Sequence, residues 1–158
     1  MWLSNFRPGM NRGPHGQGSS GSRGNQIEGI KKTAGSFLNW NPQERLQNAM
    51  KLGSYLSRNL KTSQIRKVLE IARRVHFDIQ RGNERDFLND IVRMRYLLAY
   101  AVGKATNRYQ REALRDLYEV LDPMLERVMN DPKPENFEVF YDFLQAVVAY
   151  HKFYGGGD

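Results

Sequence analysis

The chain has 158 residues, a formal charge of +7, a sequence pI near 9.8 and no cysteine. That length suits one well-packed domain better than two. The absence of thiols excludes a disulfide framework, a thiolate zinc site and a cysteine nucleophile, while the basic balance asks for an anionic partner, nucleic acid or an acidic membrane. The longest apolar run, Tyr96 to Val102, is too short to cross a bilayer; no membrane attachment and a reducing, cytoplasmic setting are the expectation.

Residues 1–35 hold eight of the fourteen glycines and almost no apolar periodicity. Such a stretch buries too little surface to fold alone, so it reads as a flexible, basic, low-complexity tail. Its Arg12-Gly13 and Arg23-Gly24 pairs could touch RNA loosely, or it could be a plain extension. The helical domain is expected over residues 36–158. Asn41-Pro42-Gln43-Glu44 opens its first helix, with Asn as the cap and Pro at the first helical position. Leu46, Ala49, Met50, Leu56 and Leu60 mark that helix, softened by Gly53.

Thr62 or Ser63 is expected to cap the second helix, and Gly82-Asn83 to end it. Ile65, Val68, Leu69, Ala72, Val75 and Ile79 recur at three- and four-residue steps and fall on one side of the helical wheel. Arg66, Lys67, Arg73, Arg74 and Arg81 fall on the opposite side. Arg66 and Arg73 lie about 10.5 Å apart at the helical rise. A row of cations on a rigid rod suits a nucleic-acid backbone; a solvated charged face is the simpler account of one such helix taken alone.

A third helix runs from about Glu84 to Ala105, with Phe87, Ile91, Met94, Leu98 and Val102 as its apolar stripe. Arg93, Tyr100 and Lys104 share another face with Tyr96 at its edge, and cations interleaved with aromatic rings can hold a nucleic-acid strand. Arg95 falls nearer the apolar side. Arg108 lies one turn beyond Lys104 if that helix continues. Leu114, Leu117, Leu121, Leu125 and Val128 give a fourth helix, which Pro123 should break into a cap and restart. The last helix, from about Glu135 to Tyr154, is apolar on two sides: Phe137, Tyr141, Leu144, Val148 and His151 on one, Val139, Phe143, Ala146 and Tyr150 on the other. Such a helix is central to its bundle or shared with another chain. The fold expected is all-α, a compact bundle of about five helices.

Charge is unevenly distributed: residues 58–111 carry net +8 and residues 112–158 net −6. An acidic end can pair with a basic patch on a neighbouring copy. Reactive chemistry is sparse. His15, His76 and His151 are scattered, no glycine-rich phosphate loop or nucleophile elbow occurs, and Asp116, Glu119 and Glu126 read as solvated helix faces. An enzyme, including a helical metal-dependent nuclease, is the poorer reading, and neither cofactor nor metal is expected.

Three blocks resemble one family, the small subunits of type III-A CRISPR effector complexes. They are Asn59 to Glu70, with its Lys61-Thr62-Ser63-Gln64-Ile65-Arg66-Lys67 core; Arg93-Met94-Arg95 followed by Leu98 to Lys104; and Phe140 to Gly156, ending Tyr150-His151-Lys152-Phe153-Tyr154-Gly155-Gly156. Order and spacing agree over roughly residues 37–158. The resemblance implies a non-catalytic five-helix bundle that stacks with other copies as a filament along the inner face of the ribonucleoprotein. Backbone and large subunits would lie beside it, and CRISPR RNA and target RNA would be its nucleic-acid partners in antiviral defence. It places Lys61, Ser63, Arg66 and Lys67 of the first block and Arg93, Arg95 and Lys104 of the second at the RNA. Arg73, Arg74 and Arg108 join them on the wheel argument. The competing readings are a helical oligomerisation or adaptor module for an acidic protein, and the related type III-B small subunit, against which the C-terminal block argues.

Overall fold

Asn41 opens the long helices as its sequence predicts. Its Oδ1 accepts from the Glu44 N–H at 2.8 Å, and its own N–H donates to the Glu44 carboxylate at 3.0 Å, closing a reciprocal cap with Pro42 at the first position. The computed structural model describes residues 27–83 and 87–157. Within them, residues 27–33 are helical (α1) and lead into a 3-10 segment, Ala34–Asn39. Five longer helices follow: α2 (Pro42–Leu56), α3 (Thr62–Gln80), α4 (Phe87–Lys104), α5 (Arg108–Asn130) and α6 (Pro134–Phe153). No strand occurs among the described residues.

The two-sided α6 is central. It packs against α2, α3 and α5, burying Phe137, Phe140, Tyr141, Phe143, Leu144, Val147 and His151. Each large side chain taken fully out of water contributes about 1.5–3 kcal/mol, so this helix anchors the core. Gly53 lets α2 approach it: a Cβ there would lie 2.8–2.9 Å from the His151 nitrogen, the Val147 carbonyl and the Tyr150 Cβ. The residue that weakens α2 as a helix is thus the one that permits its closest packing. The stripe on α2 is Ala49, Leu52, Gly53 and Leu56, whereas Leu46 is turned to solvent.

Three expectations are corrected. The sequence pattern extends the tail to residue 35, but Ile27, Ile30 and Ala34 are buried with Phe37 and Trp40, and Lys31 bonds to Asp116 and Glu119, both at 2.7 Å. The bundle therefore takes in residues 27–35; residues 1–26 lie outside the described residues. Pro123 does not break α5, which runs continuously through it. The proline forfeits one backbone bond, but Val120, Leu121, Met124 and Leu125 are fully buried around it and hold the helix together. Finally, α3 is capped by neither Thr62 nor Ser63. Lys61 stands at the cap position, its N–H donating to the Gln64 side chain at 3.1 Å.

Thr62 has a different task. Buried, it donates its N–H to the Gly157 carbonyl at 2.7 Å and its hydroxyl to the Gly156 carbonyl at 3.3 Å. The chain turns back after α6 through Gly155, whose φ of +98° favours glycine. Beside it the buried His151 donates from Nε2 to the Leu60 carbonyl at 2.6 Å. The C-terminal glycines thus latch onto the start of α3, and a Cβ on Gly156 would collide with the His151 ring.

Candidate nucleic-acid interface

The apolar stripe of α3 faces inward as read: Ile65, Val68, Leu69, Ala72 and Val75 are buried. The outward side therefore presents Ser63, Arg66, Lys67 and Arg74 to solvent, with the exposed Lys61 at the N-terminal end. Among the described residues, Arg66, Lys67 and Arg74 carry no ion pair, whereas Arg73 leans on Glu70 at 3.7 Å. Free guanidinium and ammonium groups on a helix fixed by its other side keep their donors available for phosphate.

Helix α4 supplies the opposite bank. Lys104 lies 5.6 Å over the ring of Tyr100, and Tyr100 and Tyr96 are 63% and 58% exposed. Between the banks runs a cleft of about 410 Å³, with Lys67 on one side and Tyr100 and Lys104 on the other. Lys67 and Lys104, 37 positions apart in sequence, are thereby brought to one opening.

The other candidates make contacts of their own. Arg93 bonds Asp90 on its own helix at 3.1 Å. Arg95 makes a two-pronged bond to Asp122, Nε to Oδ1 at 2.7 Å and Nη2 to Oδ2 at 2.9 Å, with Nη1 3.4 Å from the Met129 sulfur. The Asp122 hydrogen bonds raise its pKa above the ordinary arginine value. Arg95 thus ties α4 to α5. Arg108 does not continue the Lys104 face, because α4 ends at Lys104. Asn107 caps α5 by accepting from the Tyr109 and Gln110 N–H groups at 2.8 and 3.1 Å, and Arg111 folds back on the Ala105 carbonyl at 2.7 and 3.1 Å. Arg108 itself is highly exposed and pairs with Glu112 at 3.4 Å.

Periodicity gave no site role to Ile71, Leu97 and Ala101, half-buried residues that line the cleft. Their signal is faint: each sits just off the edge of a buried stripe, on the flank where α3 and α4 meet.

The family model for Csm2 Type III-A matches residues 40–157, which covers α2 to α6 and the glycine latch and leaves α1 and the 3-10 segment outside. A curated relative from Streptococcus thermophilus, "CRISPR system Cms protein Csm2", is 35% identical over 109 residues, spanning 67% of this chain and 79% of the relative. The chain belongs to the Csm2 type III-A family, the small subunits of type III-A CRISPR effector complexes.

Proposed function

We propose that this small subunit binds RNA through the outward face of α3 and the α4 bank, without base sequence preference and without catalysing a reaction, and that copies stack along the inner face of the effector complex. The observation that carries the reading is the trio Arg66, Lys67 and Arg74, exposed, unpaired among the described residues and held on one rigid helix. Lys104 extends the positive field across the cleft. Arg73 and Arg93 can add to it by exchanging a carboxylate for a phosphate. Arg95 is engaged in the fold and is left out of the face. The target RNA, alone or paired with CRISPR RNA, is the polyanion that such a face fits. Backbone and large subunits and neighbouring copies are its protein partners, in a cytoplasmic particle. Exposed apolar side chains support the assembly part: Phe153 is 74% exposed at the end of α6, and Leu88, Val92 and Tyr96 follow one another along the outside of α4. No described helix is long and apolar enough to cross a membrane.

The test is salt dependence. Each phosphate neutralised releases counterions, giving a log–log slope of about −0.7 per contact on single strands and about −0.9 on duplex DNA. Changing both Arg66 and Lys67 to Ala should shallow the slope by up to two contacts' worth and weaken all sequences alike. Equal affinity and equal slope in wild type and the double variant would remove α3 from the interface.

A further inference from the structure

The row of cations accounts for phosphate contacts and leaves the cleft unused. Its floor is apolar, built by Val68 and Ile71 of α3 and by Met94, Leu97, Leu98 and Ala101 of α4. Its mouth carries Lys67, Tyr100 and Lys104, and no carboxylate lines it among the described residues. A volume of about 410 Å³ falls within the range of sites that hold small ligands, about 300–1,000 Å³. A guest must be apolar where it enters and anionic where it emerges. A nucleotide of single-stranded RNA meets both demands, since its planar base can enter while flanking phosphates remain at the surface.

We infer that the α3–α4 cleft takes one unstacked base of a single-stranded RNA, with Lys67 and Lys104 holding the phosphates on either side. Tyr100 stands at the mouth with its ring largely exposed, where an entering base can stack on it. Gln64, Thr106 and Gln110 border the cleft, and because their side chains both donate and accept they can bond to any base. Arg66 and Arg74 on the same helix would meet the strand as it leaves. A paired base is held in its stack, so duplex RNA would use the cations and leave the cleft empty. The site thus distinguishes an unpaired strand from a duplex without reading sequence. This inference rests on the phosphate-binding reading above and adds a base site to it.

The test compares a short oligouridylate with the same strand carrying stable abasic residues at alternate positions, binding to the full chain. Phosphate charge is equal in the two, so they differ only in bases. The abasic strand should bind about five-fold more weakly or worse, the effect of losing one stacked base. Ala101→Leu, which fills the cleft, should bind both strands alike at the abasic level and leave duplex affinity unchanged. Equal binding of both strands by the wild type, with a steep salt slope, overturns the base site and leaves the phosphate face standing. Failure to bind RNA in any form overturns both. Should Ala101→Leu not fold, photo-crosslinking of wild type to a 4-thiouridine strand decides: crosslinks on Met94, Leu97 or Tyr100 are expected, and crosslinks confined to the outer side of α3 overturn the cleft.

Discussion

The two flanks of α3 are built differently. Toward α6 and the glycines that follow it, α3 is bonded at both ends. Thr62 holds the C-terminal glycines at one end; at the other His76 donates from Nδ1 to Glu138 at 2.6 Å and stacks on Tyr141 with ring centres 4.5 Å apart. Gln80 adds a bond to Glu138 at 3.4 Å. Toward α4 the flank opens into the apolar cleft. A helix free on both sides could not keep a row of cations in register, and one packed on both sides would have no cleft. The bonded flank fixes the open one, and that difference separates stability mutations from binding mutations on the same helix.

Gly53 should give the largest break on the bonded side. A methyl group there meets α6 backbone, which cannot rotate away as a side-chain tip could. Gly53→Ala is expected to lower unfolding stability by about 3 kcal/mol, the upper part of the overpacking range, read as a lower denaturant midpoint at unchanged m-value. Gly156→Ala should follow at about 2 kcal/mol, because the tail must leave Thr62 to escape the His151 ring. Amide exchange at Thr62 should then rise well before that of the α5 core. Unaltered protection of Thr62 would show that the latch does not hold α3.

How much of this was legible depends on whether the cause was local. The buried stripes of α3 and α4 follow from helical periodicity and stand where Ile65 to Val75 and Phe87 to Val102 put them. The Asn41 cap followed from four adjacent residues. What failed to show was decided at long range. Ile27 and Ile30 among glycines are too short a pattern to announce a helix, and they are secured by Lys31 reaching α5, 85 positions on. Pro123 announces only its local cost, and the burial around it outweighs that cost. Arg95 was one cation among several until Asp122 on another helix claimed it. The cleft belongs to no stretch of sequence, since it is the gap left between two correctly read stripes on different helices.

Arg95 sharpens the comparison from the far wall. With Asp122 it holds α4 to α5, so Arg95→Ala strands a half-buried carboxylate and should cost about 1–2 kcal/mol of stability. The Arg66/Lys67 double variant removes twice the charge from a solvent face and should move stability by no more than about 0.5 kcal/mol. Thermal melts of the two beside their RNA salt slopes form a cross. Arg95→Ala lowers the melting point and keeps the slope, while the double variant keeps the melting point and flattens the slope. A flattened slope in Arg95→Ala at unchanged melting point would instead return Arg95 to the RNA face.

The smallest effect concerns the network that secures α1. Tyr55 donates to Asp116 at 2.6 Å, and Lys31 bonds both Asp116 and Glu119. Burial, together with the hydrogen bond to Asp116, pushes the Tyr55 hydroxyl from 10.0 up to about 12. Desolvation alone would lower the Lys31 pKa, but its bonds to Asp116 and Glu119 outweigh that and raise it above 10.5. Both groups therefore bind their protons more tightly folded than unfolded. Their contribution is complete below about pH 10 and is lost as pH climbs through the folded values. Between about pH 9 and about pH 11.5, wild type should lose on the order of 1 kcal/mol through this network, once solvent screening at the partly exposed sites is allowed for. Tyr55→Phe cannot ionise and lacks the bond to Asp116. It should start less stable and decline less steeply, so that the two stability curves converge at high pH. Parallel curves would show that Tyr55 keeps no proton on behalf of the fold.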